Sequence, residues 1–156
     1  SLLGHALTAL ATAGADRIVV VVGPGREDVA DAARRLLPEV TIAVQAERRG
    51  TAHAALAAHE ALAAGFDDVI VAFADTPLIR PDTFGALRAE LARGAGVVAL
   101  GFEAQDPTGY GRLLLHDGAL EAIVEHKDAT PEQRAVRFCN AGLMALEGHQ
   151  ALSLLE

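Results

Sequence analysis

The sequence predicts an α/β protein with three layers and a mixed, mostly parallel sheet that has a late antiparallel part. Up to residue 103, apolar runs rich in Val and Ile alternate with segments of helical periodicity. This alternation is typical of parallel strands joined by right-handed helical crossovers. After residue 103 the apolar runs follow one another with only short connections. Antiparallel strands can be joined in that way, whereas parallel strands cannot.

The first elements follow from periodicity and from turn residues. Residues 1–13 are apolar at helical spacing and predict a helix that Gly14 ends. RIVVVV (17–22) is a continuous β-branched run, which predicts a strand covered on both faces. The remaining predictions in this part are a helix at 27–37, a strand at 40–45, an Ala-rich helix at 51–64, a strand at 68–75, a helix at 82–93 and a strand at 96–103.

The last third of the chain predicts strands without long helices. RLLLH (112–116) and ALEAIVE (119–125) flank the short sequence HDG, so a tight antiparallel hairpin is expected there. VRFCNAGLMAL (136–146) predicts one more strand, and HQALSLLE (149–156) reads as an apolar helix.

The first predicted element is a helix that leads into a strand. In doubly wound sheets, a strand and a glycine-rich βα loop normally come before such a helix. We therefore expect residues 1–156 to be an internal part of one domain of a larger protein, lacking that first strand.

Composition narrows the class of protein. The net charge of −8 argues against binding to nucleic acid, which requires clustered basic residues. No apolar stretch approaches the length of a membrane span, and no signal segment is recognised, so a cytoplasmic protein is expected. The single cysteine, Cys139, excludes an internal disulfide and is interpreted as a small core residue rather than a nucleophile.

The segment QAERRGTAHA (45–54) is a candidate binding loop. Gln45 comes at the carboxyl end of a predicted strand, where open α/β sheets bind ligands, and its amide can read a base edge. Gly50 permits close approach of the backbone, and Thr51 is placed to cap the next helix. The alternative is a capped loop with a solvated pair, Arg48 and Arg49. GPG (23–25), by contrast, reads as an ordinary βα turn rather than a phosphate-binding loop.

Asp75, in the segment FADTPL (73–78), is a candidate metal ligand. A carboxylate at the end of an apolar strand is costly to bury unless it is paired or bound to a metal, and magnesium prefers such oxygen ligands. The alternative is a helix or turn cap before Pro77.

Two polar residues late in the chain are candidates for contacts to a polyhydroxyl ligand. Glu125 ends the second hairpin strand, although a glutamate in this position, taken alone, belongs to a solvated turn more often than to a site. Asn140 lies inside an apolar strand and therefore needs a partner, either a ligand or a core group. His126 and Lys127 are interpreted as surface residues, and no side chain is assigned as catalytic with certainty.

The segments together resemble the nucleotidyltransferase (sugar pyrophosphorylase) family, which has a Rossmann-like fold. The resemblance is most specific to the uridylyltransferase domain of bacterial bifunctional N-acetylglucosamine-1-phosphate uridyltransferase/glucosamine-1-phosphate acetyltransferases. It covers nearly the whole chain and is carried, in order, by VVVVGPG, VQAERRGTAHA, FADTPLI, DPTGYGR, IVEHKDAT and FCNAGL.

The resemblance implies residue roles and ligands. Gln45, Gly50 and Thr51 would contact uracil, and Asp75 would bind Mg²⁺. Phe73 and Ala74 would contact the nucleoside, and N-acetylglucosamine would contact Gly111, Glu125 and Asn140. A side chain on Gly111 would clash with the sugar. Tyr110 and Arg112 would brace the loop. The implied reactants are UTP and N-acetylglucosamine 1-phosphate, and the implied products are UDP-N-acetylglucosamine and pyrophosphate.

The sequence also departs from the family pattern. These residues do not include three parts of the family's active site: the glycine-rich phosphate loop, the lysine after it and the asparagine that completes the metal site. They also do not include the left-handed β-helix acetyltransferase domain, through which the family forms homo-oligomers. Ala74 stands where a glycine is usual, and Arg49 where a leucine is common. We therefore expect the 156 residues alone to be inactive or nearly so. Two alternatives remain: a related sugar or cofactor nucleotidyltransferase, and a non-catalytic domain that binds nucleotide-sugars.

Overall fold

The computed structural model describes residues 1–47, 50–63 and 65–155. The helices are Leu2–Thr12 (α1), Glu27–Leu36 (α2), Thr51–Leu56 (α3), His59–Leu62 (α4), Pro81–Ala92 (α5), Pro131–Arg134 (α6) and Ala151–Leu155 (α7). The strands are Val19–Val22 (β1), Thr41–Val44 (β2), Asp68–Ala72 (β3), Val97–Glu103 (β4), Arg112–His116 (β5), Ala119–Val124 (β6) and Phe138–Glu147 (β7). Among these residues, no helix has the length and apolar character needed to cross a membrane.

The chain divides into two compact units. The first unit consists of Ser1–Val98 and Met144–Glu156, and the second of Ala99–Leu143. In the first unit, β1 and β2 pair in parallel, from Val19 opposite Thr41 to Val22 opposite Val44. The parallel pairing expected of the early strands is confirmed for this pair.

The second unit contains the predicted antiparallel hairpin. β5 and β6 pair antiparallel, and Asp117 (φ 49°) and Gly118 (φ 80°) form the turn between them. Two successive residues with positive φ are typical of the hairpin turns whose twist matches that of the flanking strands. β5 also pairs antiparallel with β7. Hydrogen bonding follows the strand order β3-β7-β5-β6, and β4 pairs with β7.

Two hydrophobic clusters lie among the described residues of the first unit. The β1-side core contains the buried residues Leu7, Ala33 and Val40, with Leu3, Ile18, Val20, Leu37 and Ile42 packed against them. The β3-side core contains the buried residues Ala55, Leu146, Ala151 and Leu155, with Leu56, Leu62, Val69 and Val71 packed against them. The β1-side core joins α1 and α2 to β1 and β2, and the β3-side core joins α3, α4 and α7 to β3 and β7.

Three local predictions differ from the structure. The predicted helix 51–64 is two short helices, because Ala58 (φ −90°, ψ 12°) leaves the helical region between them, and Ala64 lies outside the described residues. β1, predicted to be covered on both faces, is only partly buried over Val19–Val21. A short helix, α6, was not predicted, although Thr130 and Gln133 form a capping box at its start.

Candidate functional site

Gln45 follows β2 and is held by the loop after it. Its side-chain Nε2 donates to the carbonyl oxygen of Gly50 and contacts Nδ1 of His53, both at 3.2 Å. An amide nitrogen only donates, so Nδ1 of His53 is the acceptor in this contact. Both contacts involve the side-chain nitrogen of Gln45, so its side-chain oxygen Oε1 takes part in neither of them. Sequence reasoning missed His53, which had no ligand spacing to single it out.

Thr51 does not cap the following helix. Gly50, at φ 104°, is the N-cap of α3, and no side-chain hydrogen bond caps this end. A positive φ is strained for other residue types, so the conformation of the loop explains the glycine at this position. Arg48 and Arg49, predicted to form a solvated pair, lie outside the described residues.

Asp75 is exposed, contrary to the argument that its carboxylate is buried at a strand end. β3 ends at Ala72, so Phe73, Ala74 and Asp75 form a turn beyond it, where Thr76 Oγ1 donates to the carbonyl of Phe73 at 2.8 Å. In the described residues the Asp75 carboxylate has no ion pair. It is therefore available as a ligand without a desolvation penalty.

A cavity of about 770 Å³ in the first unit brings the candidate nucleotide-binding residues together. All six of them line it: Gln45, Gly50, Thr51, Phe73, Ala74 and Asp75. They come from the carboxyl ends of β2 and β3, the edge at which α/β sheets bind ligands.

Gly111, Glu125 and Asn140 lie together in the second unit. A methyl group placed on Gly111 would lie 3.6 Å from Oε2 of Glu125 and 3.7 Å from Cβ of Asn140, which is ordinary van der Waals contact. The backbone of Gly111 also accepts from the amide of Asn140 at 2.8 Å, and φ of Gly111 is not positive. Neither conformation nor packing within the protein therefore requires a glycine at this position.

The side chain of Asn140 is partly satisfied within the protein. Its Oδ1 accepts from the amide of Gly142 at 3.0 Å, and Gly142 has φ 74°. The side-chain oxygen of Asn140 therefore has a partner within the protein, as expected of a core amide. A contact between its side-chain nitrogen and a ligand stays a prediction.

Arg112 braces the loop before β5 from a buried position. Its side chain is 1% exposed and donates to the carbonyls of Tyr110 and Arg134. Its Nη2 also lies 3.2 Å from Nδ1 of His126, which accepts because a guanidinium has no acceptor. His126 is therefore a half-buried partner of Arg112, and its prediction as a surface residue is wrong.

Two further contacts stabilise this region of the second unit. Arg134 donates from Nε and Nη2 to the carbonyls of His126 (3.1 Å) and Lys127 (3.3 Å). The ring of Tyr110 packs edge-on against Phe102, with centroids 5.0 Å apart. Arg112 contacts both the carbonyl of Tyr110 and the ring of His126, so it connects this loop to the turn after Glu125. The predicted bracing role of Arg112 and Tyr110 has a structural basis in these contacts.

Asp106 opens the same loop and accepts from the amide of Thr108 at 2.9 Å. Hydrogen bonding by the side chain and amide of Thr108, and to a smaller extent the charge of Arg112, lowers the pKa of the Asp106 carboxyl below its usual value. The carboxylate form thus binds the loop more strongly than the acid form does.

Replacing Asp106 with asparagine tests the pH dependence of this loop. Because the folded-state pKa is lowered, the carboxylate stabilises the protein above about pH 4 and this contribution is lost as the pH falls through the folded pKa. We expect urea unfolding at pH 7 to show Asp106→Asn to be less stable than the unmodified chain. The difference should shrink at pH 3. A difference that stays constant with pH would contradict the assignment.

Cys139, in β7, is fully buried, in agreement with its interpretation as a core residue. Within the three described ranges, no group of three or more His, Cys, Asp or Glu side chains is placed to hold a metal ion. Asp75 fits magnesium as one hard oxygen ligand, and other ligands would have to come from elsewhere.

Comparison with known proteins decides the family. A family model described as the MobA-like NTP transferase domain matches residues 1–144, nearly the whole chain. The chain belongs to this family. The resemblance to nucleotidyltransferases seen in the sequence is thereby confirmed, and the α/β fold is that of an NTP transferase domain.

Curated relatives of this NTP transferase domain are bifunctional GlmU proteins. The chain is 59% identical over its whole length to the bifunctional protein GlmU of Xanthobacter autotrophicus (strain ATCC BAA-1158 / Py2) and spans 35% of that protein. It is 58% identical over 99% of its length to GlmU of Azorhizobium caulinodans, again 35% of that protein. The domain thus spans about a third of the length of these relatives.

Solved structures with a similar fold include UDP-glucose pyrophosphorylase. The NTP transferase domain superposes on the apo enzyme with a TM-score of 0.69 and 15% identity, covering 99% of this chain and 67% of that one. The complex with UDP-glucose gives a TM-score of 0.67 at 16% identity, covering 99% and 66%. At these identities the likeness establishes the fold, and it confirms the predicted fold class.

Proposed function

We propose that this NTP transferase domain serves uridylyl transfer from UTP to N-acetylglucosamine 1-phosphate, giving UDP-N-acetylglucosamine and pyrophosphate. The observation that carries the proposal is the cluster of Gly111, Glu125 and Asn140, where the protein itself gives no reason for a glycine. The identity of 59% to a GlmU protein supports the choice of sugar and base.

Uracil recognition is assigned to the loop after β2. Gln45 is oriented by Gly50 and His53 through its nitrogen, so its Oε1 can accept from the N3–H of uracil. Gly50 and Thr51 line the same cavity. A neutral amide held in one orientation distinguishes a base edge by its pattern of donors and acceptors. Phe73 and Ala74 would contact the nucleoside from the turn after β3.

Sugar recognition is assigned to the second unit. Glu125 is an exposed carboxylate, which accepts hydrogen bonds from hydroxyl groups. The space above Gly111 would accommodate the sugar ring against the backbone, and a side chain there would occupy that space. Arg112 acts on this region indirectly, because it holds the carbonyl of Tyr110 next to Gly111.

The proposed reaction needs no covalent enzyme intermediate. A phosphate oxygen of N-acetylglucosamine 1-phosphate attacks the α-phosphorus of UTP, the new P–O bond forms, and the bond to the β-phosphate breaks to release pyrophosphate. The domain contributes binding and orientation of the two reactants. Magnesium, when bound, supplies neutralisation of phosphate charge, and Asp75 would be one of its ligands.

Calorimetric titration with UDP-N-acetylglucosamine tests this proposal, with and without Mg²⁺. We expect binding at least about tenfold tighter than to ADP-glucose, because the ligands differ in both base and sugar. UDP-glucose separates the two contributions, since it keeps the base and changes the sugar. Equal affinity for all three nucleotide-sugars would contradict the assignment, and a preference for UDP-glucose would shift it to another sugar.

Gly111→Ala is expected to weaken binding without unfolding the protein. The added methyl meets protein atoms only at 3.6 Å and beyond, so we expect the unfolding free energy to change by less than about 1 kcal/mol. The affinity for UDP-N-acetylglucosamine should fall at least about tenfold, while that for UMP stays the same. Gln45→Ala is the matched variant, and it should weaken the binding of both UDP-N-acetylglucosamine and UMP. Unchanged affinity in Gly111→Ala would remove the sugar site from this position.

A further inference from the structure

The side-chain amide of Gln45 has an acceptor within the protein for each of its two hydrogens. Its Nε2 lies 3.2 Å from the carbonyl oxygen of Gly50 and 3.2 Å from Nδ1 of His53. The backbone of Gln45 is fixed as well, because its amide donates to the carbonyl of Val22 in β1 at 2.8 Å. A primary amide offers two donor hydrogens and one acceptor oxygen. With both hydrogens occupied, the amide presents only its acceptor Oε1 to a ligand.

His53 lies behind Gln45 and not in the cavity of the first unit. Gln45, Gly50 and Thr51 line that cavity, whereas the half-buried His53 does not. A ligand in the cavity is therefore contacted by Gln45, and His53 acts on it only through the Gln45 amide. The acceptor on Gly50 belongs to the backbone. The acceptor that depends on the identity of a side chain is thus the ring of His53.

Uracil and cytosine differ at the ring position that an acceptor can read. N3 of uracil carries a hydrogen and donates, whereas N3 of cytosine has a lone pair and accepts. An Oε1 atom that faces N3 therefore pairs with uracil, and it meets cytosine with no hydrogen between the two acceptors. An amide with a free hydrogen could turn about its last bond and donate to cytosine instead. A polar group that is left without its partner makes a site reject the wrong ligand.

We propose that His53 is a positioning residue that determines base specificity, because it occupies the second hydrogen of the Gln45 amide and thereby excludes cytidine nucleotides. The inference rests on the proposed contact between Gln45 and the base. It extends that contact to a class of ligand. Bases that carry an N–H where they face Oε1 are accepted, and bases with a lone pair at that position are rejected.

A pair of isosteric substitutions tests the proposal by calorimetric titration of the 156-residue chain with UMP and with CMP. Leucine and asparagine have similar shapes, but only asparagine offers an acceptor close to the position of the His53 Nδ1 atom. We expect the unmodified chain and His53→Asn to bind UMP at least about tenfold more tightly than CMP. In His53→Leu the ratio should fall below about threefold. The affinity for CMP should not fall with that for UMP, whereas a loss of structure would lower both together.

His59→Leu is the matched control for these substitutions. His59 is exposed at the start of α4 and does not line the cavity. The same change of side chain at this position should leave the ratio of the two affinities within about twofold of that of the unmodified chain.

Hydrogen exchange followed by NMR gives a second measurement, which needs no ligand. The side-chain amide hydrogens of Gln45 are assigned by their absence from the spectrum of Gln45→Ala. We expect them to exchange with solvent at least about tenfold faster in His53→Leu than in the unmodified chain, because one of them has lost its acceptor. His53→Asn should restore slow exchange. Equal exchange in all three proteins would overturn the proposal.

The nucleotide titrations separate this inference from the proposed function. If Gln45→Ala abolishes the preference for UMP and His53→Leu keeps it, the base contact stands and the role of His53 is overturned. If Gln45→Ala keeps the preference, or if the unmodified chain has none, the base contact fails and the inference fails with it. Loss of the preference in both Gln45→Ala and His53→Leu, with its return in His53→Asn, supports the two together.

Discussion

Gly148→Ala is expected to unfold the first unit at room temperature or to leave it marginal. A Cβ at this position would lie 1.6 Å from the carbonyl oxygen of Phe66 and 2.8 Å from the carbonyl carbon of Asp67, both in the backbone. The amide of Gly148 also donates to the oxygen of Asp67 at 3.0 Å, which fixes the approach of the two segments. We expect a loss of at least about 4 kcal/mol, measured by urea unfolding.

Gly85→Ala is the matched control for this substitution. Gly85 lies within α5, and a Cβ there would meet no atom within 4 Å. Alanine is about 1 kcal/mol more favourable than glycine inside a helix, so this variant should be more stable than the unmodified chain. If Gly148→Ala proved as stable as Gly85→Ala, the close approach of residues 66–67 and 148 would not exist in solution.

Arg112→Leu is expected to weaken both the second unit and its sugar site. The buried guanidinium donates to carbonyls of residues 110 and 134 and to the ring of His126, and leucine would leave these acceptors without a donor. A buried acceptor without a partner costs about 1–3 kcal/mol, so we expect the three acceptors together to cost at least about 3 kcal/mol. Urea unfolding at neutral pH measures this loss.

A role in positioning predicts more than a loss of stability. Under conditions in which Arg112→Leu is still folded, its affinity for UDP-N-acetylglucosamine should fall at least about tenfold, and its affinity for UMP should not change. His126→Asn keeps an acceptor near the guanidinium and should retain most of both properties. Arg80→Leu removes an exposed ion pair with Asp82, with the Arg80 side chain 79% exposed, and should change stability by less than about 0.5 kcal/mol. If Arg112→Leu bound UDP-N-acetylglucosamine normally, its role would be structural only.

The candidate ligand positions were predictable because they depend on chain order. Gln45 and Asp75 follow strands, and the carboxyl ends of strands in an α/β sheet gather at one edge. Local geometry there was less predictable. The N-cap at Gly50 and the exposed turn at Asp75 depend on where β2 and β3 end, and strand ends are poorly marked by periodicity.

The network around Arg112 was predictable only in outline. The motif DPTGYGR indicated a braced loop. The burial of Arg112 and its bonds to residues 110, 126 and 134 depend on three chain segments that meet in space. No spacing in the sequence relates these positions, so the sequence does not indicate that His126 is a partner of Arg112.

By itself the sequence determined the α/β class, the antiparallel hairpin at residues 112–124 and the candidate residues, because hydrophobic periodicity and turn residues are local properties. Only the tertiary structure decided the size and lining of the cavity in the first unit, the break in the helix at Ala58 and the burial of Arg112. These features depend on which segments pack together and which strand edges find a partner, and contacts between distant residues leave no periodic trace in one sequence.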